Sequence, residues 1–213
     1  MSNQVSKKVF LINGPPNSGK DTLAIQCRNF LMNKLMSNPT GLALPEIIKF
    51  ADPIKWATHA LYNVPYSCEH YEREHGNSWK DQPQPEFYGR TPRSEYIAMS
   101  EDYAKHRHGD DIFGHIMARR IHLSKNNVFL ISDSGFYQEA LPVIKQVDVS
   151  NVVVIELDRP DCSFYNDSRG YIGNELKQQF PSIEVIRLSN NDDTGYLRIL
   201  SHGIMMKYLG IKH

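Results

Sequence analysis

The feature that most constrains this chain is the run Gly14-Pro15-Pro16-Asn17-Ser18-Gly19-Lys20-Asp21-Thr22, which fits G-x4-G-K. An apolar block, Val9-Phe10-Leu11-Ile12, precedes it. Leu23, Cys27, Phe30, Leu31 and Leu35 follow at the spacing of one helical face. Strand, glycine-rich turn and helix form the context in which such a run binds phosphate. Its glycines let backbone N–H groups turn inward around phosphate oxygens, and the helix N-terminus adds partial positive charge. Gly14, Asn17, Ser18, Gly19, Lys20, Asp21 and Thr22 are therefore the expected cradle for ATP. Lys20 reaches the β- and γ-phosphates, and the Thr22 hydroxyl meets Mg²⁺. Asp21 stands where a Ser or Thr usually holds that metal. It either helps place Mg²⁺, faces the acceptor, or simply favours the helix N-terminus.

The rest of the chain repeats the strand–helix alternation. Apolar strands are expected at 46–50, 128–131 and 152–157, with an edge strand at 185–188. The first helix is predicted to end near Asn38-Pro39. Another opens at Asp52-Pro53, with Asp as N-cap and Pro in the first turn. Thr91-Pro92 restarts a helix, with Glu95 near the capping-box position. Further helices are expected over 110–122, through Glu139 to Lys145, and over 196–209, the last stopped by Gly210. Strands apolar on both faces require helices over both faces. The expectation is one α/β domain over 1–213, three layers deep, around a parallel sheet of about five strands. Periodicity fails over 63–90, which reads as a long functional insertion.

Charge narrows the partners. Across 213 residues, 24 Lys and Arg balance 24 Asp and Glu, so nothing supports a constitutive nucleic-acid or anionic-membrane binder. No apolar run approaches the roughly 18 residues of a membrane span. The only apolar block before Gly14, Val9–Ile12, is too short for a signal-peptide core. Cys27, Cys68 and Cys162 are scattered and odd in number, as cytosolic thiols are. The expected setting is cytoplasmic, with small nucleotides as partners and a homodimer left open.

Several further runs carry a resemblance. Gly19-Lys20-Asp21-Thr22, Phe50-Ala51-Asp52-Pro53-Ile54-Lys55, Arg90-Thr91-Pro92-Arg93, Ile131-Ser132-Asp133-Ser134-Gly135-Phe136 with Glu139, and Phe164-Tyr165-Asn166-Asp167-Ser168-Arg169-Gly170-Tyr171 stand in one order. In that order the chain resembles phage-type deoxynucleoside monophosphate kinases. The resemblance implies a P-loop kinase fold, transfer of the ATP γ-phosphoryl group to a deoxynucleoside monophosphate, and a viral origin in a host cytoplasm. Two departures stand out. Gly135 replaces an arginine common in Asp-x-Arg-Phe, and Ser100-Glu101 replaces a Gly-Thr pair.

Phosphoryl transfer is positioning plus charge neutralisation, so cations from separate segments should converge on the loop. Lys55, Arg90 and Arg93 are the candidate ligands of the acceptor phosphate. Arg93 in a first helical turn is unfavourable by dipole logic, which suggests that an anion compensates it. Asp133, at the carboxyl end of its strand, either holds Mg²⁺ directly or through water, or caps the helix near Phe136. Glu139 reads as helical surface. Arg169 is the arginine of a lid expected over 161–172, and Arg159 is placed to pack on the donor base. Trp79, with Tyr66, Tyr71, Phe87 and Tyr88, either stacks on the acceptor base or builds a small core for the insertion. Catalysis falls to Lys20, Asp21, Arg93 and Arg169, with no general base. The alternatives are a kinase acting on a modified base or hydroxymethyl group in DNA, and a non-catalytic nucleotide-binding protein.

Overall fold

Strand β1 (Lys8–Asn13) sends Val9 and Leu11 to one side and Phe10 and Ile12 to the other, and all four are fully buried. Such a strand survives only between two helix layers. The computed structural model, which describes residues 6–37, 45–76, 78–191 and 194–211, supplies both. The expectations for residues 1–5 and for the stop at Asn38-Pro39 lie outside the described residues.

The sheet has five parallel strands in the order β2-β3-β1-β4-β5. They are β1, β2 (Glu46–Ile48), β3 (Val128–Ser134), β4 (Val152–Asp158) and β5 (Glu184–Ser189). Pairing of β1 with β3 runs from Lys8 opposite Val128 to Leu11 opposite Ile131, then slips so that Asn13 faces Ser134. Helices α1 (Lys20–Ser37) and α9 (Thr194–Leu209) cover one face, where Leu23, Cys27, Phe30, Leu197 and Met205 meet Phe10, Leu130 and Ile155. Helices α6 (Ile112–Leu123), α7 (Tyr137–Val147) and α8 (Gly173–Gln179) cover the other, where Phe113, Met117, Val143 and Leu176 meet Leu11, Phe129 and Val154. The expected three-layer α/β architecture is what the chain adopts.

The segment after β2 differs from expectation. Helix α2 (Asp52–Leu61) begins at the proposed cap itself, one residue earlier than expected, and Asp52 does not cap it: its Oδ2 accepts from the Lys49 N–H (3.1 Å) and from Arg120 (3.0 Å). The insertion is folded, with helix α3 (Cys68–His75) and 3₁₀ turns at Trp79–Asp81 and Pro85–Phe87. Val64, Cys68, Tyr71, Trp79 and Phe87 form a core of their own, backed by Tyr62 and Tyr96. His59 threads into it, joined to the Tyr66 carbonyl and the Tyr96 hydroxyl at 2.6 Å each.

Helix α4 (Pro92–Ala98) starts as its sequence says, with Thr91 Oγ1 accepting from Ser94 N–H at 3.1 Å. Glu95 does not close a capping box. It is buried and accepts a hydrogen bond from the Tyr62 hydroxyl. The helix then widens into a π-helical stretch over Met99–Lys105 before a last turn, α5 (His106–His108). Ser100 and Glu101, the second departure from the kinase pattern, sit in that stretch. A π-helical turn re-aims the side chains that follow it.

Candidate functional site

The cradle lies past the carboxyl end of β1, where open parallel sheets receive ligands. Asn17 (φ 63°) and Gly19 (φ 98°) both take the left-handed conformation, the backbone turn that aims successive N–H groups at an anion. Gly14 is required by contact: a Cβ there would lie 2.3 Å from the Leu157 carbonyl oxygen and 2.8 Å from Ser18 Oγ. The loop is held from outside by Asn190, whose Nδ2 donates to the Ser18 carbonyl at 2.9 Å, and by Arg159, whose Nη1 donates to the Asn17 carbonyl at 3.1 Å. Ser18 Oγ is buried with no hydrogen-bond partner among the described residues. An unpaired buried donor in a left-handed turn at a helix N-terminus fits a phosphate.

Lys20 is buried, and its ammonium donates to the Pro15 carbonyl at 2.6 Å, across the loop it belongs to. Burial first, and then the charge of Arg169, lower its pKa to about 8, against partial compensation by Asp21, Asp167 and Asp133. Thr22 follows in the first turn of α1, half-buried. Asp21 is exposed but held by two partners. Its Oδ1 accepts from Ser132 Oγ (2.5 Å) and pairs with Lys49 (2.9 Å). Burial opposes its ionisation, but Lys49 and Ser132 outweigh that and hold the carboxyl below its ordinary value.

Asp133 has other work than the metal role assigned from sequence. Its Oδ1 accepts from the Phe50 N–H and its Oδ2 from the Ala51 N–H, both at 2.9 Å. It clamps the turn between β2 and α2 to the end of β3, and it does not cap α7. Burial raises its pKa despite those two bonds. Thr22 and Asp21 are left as the donor set that suits a hard divalent cation.

The acceptor-side cations are distributed differently from expectation. Lys55 is held 2.9 Å from Glu69 of α3, so it braces the insertion. Burial opposes the Glu69 charge, yet Lys55 pulls its pKa down to about 2. Arg90 is exposed, its guanidinium 3.5 Å from Glu95. Arg93 is about half exposed and donates through Nε and Nη2 to Asp81. Asp81 is the anion that its place in the first turn calls for. That hydrogen bond chiefly raises the Arg93 pKa, and the charge of Arg169 works against it.

Arg169 grips Asp167 by Nε (2.9 Å) and Nη2 (2.6 Å), and its pKa is raised chiefly by that bond. Its charge is felt by both Lys20 and Arg93. Arg169 is thus within electrostatic reach of cations from two other segments. Glu139, read from sequence as helical surface, is instead 4% exposed. Burial, then Asp133, push its pKa up to about 8, while Lys105 and Arg169 pull the other way. Trp79 is not a platform for a base. It is 5% exposed and stacks on Tyr71 at 4.5 Å with the rings nearly parallel.

Sequence reasoning missed Lys49, Ser132, Asp81, Asp167, Asn190 and Asn13. Asn13 is fully buried and is the hub of the loop over 159–172: its Nδ2 donates to the Ser134 and Gly170 carbonyls at 2.9 Å, and its Oδ1 accepts from the Ile172 N–H at 3.0 Å. A polar residue closing an apolar strand directly before Gly14 was the available signal.

A scan against protein-family models and a search of curated proteins both find no match for the chain. Among solved structures it is similar to the APS kinase CysC of Mycobacterium tuberculosis in complex with AMPPNP and APS. That match has 13% identity, covers 97% of this chain and 99% of that one, and has a TM-score of 0.45. An unliganded sugar kinase from Janibacter sp. HTCC2649 also matches, at 13% identity over 96% of this chain and 95% of that one, with a TM-score of 0.41. The fold described above rests on the chain's own strand order and register.

Proposed function

We propose that this chain is an ATP-dependent phosphotransferase that moves the γ-phosphoryl group of ATP to a deoxynucleoside monophosphate, yielding ADP and the deoxynucleoside diphosphate. What supports this reading is the electrostatic coupling of Arg169 to both Lys20 and Arg93, three cations from three segments, beside a left-handed turn at a helix N-terminus. A protein that only holds a nucleotide needs the cradle; a second phosphate explains the cations beyond it. The acceptor class comes from the order of the landmark runs, three of which (19–22, 50–55 and 131–136) lie at or just past the carboxyl ends of β1, β2 and β3.

In this reading the backbone N–H groups of Asn17, Gly19 and Lys20, with the Lys20 ammonium, bind the β- and γ-phosphates. Lys20 leaves the Pro15 carbonyl to do so. An oxygen of the acceptor phosphate attacks the γ-phosphorus in line, and the bond to the β–γ bridging oxygen breaks with its electrons leaving on ADP. Negative charge spreads over the equatorial oxygens, where Arg169 stabilises it. Arg93 exchanges Asp81 for the acceptor phosphate, and the Asp133 clamp keeps the turn at 50–51 in place beneath it. Mg²⁺, held by Thr22 and Asp21, supplies further neutralisation when bound. A phosphate dianion is already a nucleophile, so the site needs no general base.

The test is ADP release with Mg²⁺-ATP against deoxynucleoside monophosphates, ribonucleoside monophosphates and duplex DNA. Turnover on one or more deoxynucleotides supports the reading. Turnover on DNA alone replaces the acceptor class, and turnover on nothing leaves a nucleotide-binding protein. Arg93→Ala should raise the acceptor KM or lower kcat by about tenfold or more, as loss of a charge-assisted phosphate contact does. Unchanged acceptor kinetics would remove Arg93 from the site.

A further inference from the structure

An arginine on a loop between elements is ordinarily brought to its substrate by closure of that loop. The loop carrying Arg169 is already fastened on three sides. Asn13 holds the Gly170 carbonyl and the Ile172 N–H, and the Gly170 N–H donates to the Gly135 carbonyl at 3.1 Å. Asp167 takes the Arg169 backbone N–H at 3.0 Å and grips its guanidinium at two points. The side chain itself lies across Gly135. A Cβ on Gly135 would come within 2.7 Å of Cβ, Cγ and Cδ of Arg169. Those atoms are the root of the side chain, so no rotation of its far end relieves the contact. The backbone at 169 would have to move, against the Asn13 and Gly135 hydrogen bonds.

We infer that Gly135 is a positioning residue: its bare α-carbon seats the stem of Arg169 across the end of β3, so that the guanidinium is preset toward the phosphate cradle before nucleotide arrives. Asp167 is the second half of the seat, because it fixes the guanidinium at the other end. Gly135 stands where an arginine is common in the kinases the chain resembles, and the Arg169 stem fills the space a side chain there would need. The inference rests on the phosphotransferase reading for what Arg169 does, and on contact geometry alone for what Gly135 does to Arg169.

A double-mutant cycle separates the two. Gly135→Ala, Arg169→Ala and the double variant are measured for kcat on the best acceptor and for Kd of AMPPNP with Mg²⁺. Arg169→Ala should lower kcat about 10²-fold or more, the scale of losing one preorganised stabilising group. Gly135→Ala alone should lower it about tenfold. In the double variant, Gly135→Ala should add less than about twofold, because the residue it displaces is gone. The same non-additivity is expected in Kd, where Arg169→Ala weakens binding about tenfold and Gly135→Ala several-fold. Should Gly135→Ala fold poorly, Asp167→Asn replaces it in the cycle, since it loosens the grip without adding an atom. Equal cost of the seat substitution with and without Arg169, or no cost at all, would overturn the inference. A wild-type protein with no turnover would instead defeat the functional reading, and the cycle would then be decided on Kd.

Discussion

A lysine with a pKa of about 8 is still mostly charged at neutral pH, but it is poised to lose its proton about two units earlier than a free side chain. Triphosphate bound against Lys20 favours the charged form and returns the pKa upward. Nucleotide binding near pH 8.5 should therefore take up protons, read by calorimetry in buffers of different ionisation enthalpy. The uptake should vanish near pH 6.5 and in Lys20→Arg, whose guanidinium never titrates there. Binding at pH 8.5 without proton uptake would contradict the buried, cation-flanked Lys20 described above. Glu139 offers a second test. Its folded-state pKa of about 8 lies above the ordinary carboxyl value, so the folded protein binds the extra proton between those limits. Stability must then fall as pH rises through that window. Glu139→Gln should flatten the decline of Tm between about pH 5 and pH 8, and an unchanged slope would show that Glu139 ionises freely. Lys20 was legible in sequence because its whole environment is contiguous, from Gly14 to Thr22. Glu139 and Asp133 were not, because what surrounds them comes from the turn after β2, the π-helical stretch and the loop at 159–172.

Among the elements, the strands declared themselves because each is an apolar run bounded by turn residues. Only their ends shifted, as with 46–50 against Glu46–Ile48. The insertion did not. An eight-residue helix and two 3₁₀ turns carry no usable period, and its core is built from aromatics at irregular spacing. The π-helical stretch was equally hidden, since its residues are those of any α-helix. The folded insertion nonetheless matters to the site, because it supplies Glu69 to Lys55 and Asp81 to Arg93. Trp79→Ala should destabilise the insertion by about 3 kcal/mol or more, the cost of removing a buried aromatic. It should raise the acceptor KM while leaving Kd for AMPPNP within about twofold, because the cradle lies elsewhere. Urea unfolding with acceptor kinetics reads both. A variant with normal acceptor KM would mean that the insertion does not shape that half of the site.

Across the whole molecule, zero net charge turns out to be arranged locally at the site. Lys49 pairs with Asp21, Lys55 with Glu69, Arg93 with Asp81 and Arg169 with Asp167. These four cations are each held by a carboxylate, while Lys20 donates to the Pro15 carbonyl, and the pairing limits self-repulsion among like charges. On the proposed function, phosphate would compete with a carboxylate for a cation already in position. That exchange needs no basic surface, consistent with a balanced composition and with small phosphates as ligands. The account's central claim is transfer from ATP to a deoxynucleoside monophosphate, and the most direct measurement follows the phosphorus. With γ-³²P-labelled ATP, Mg²⁺ and the four common deoxynucleoside monophosphates, label should appear in a deoxynucleoside diphosphate. Lys20→Ala should abolish that product. Label found only in inorganic phosphate, or only in added DNA, would contradict the account.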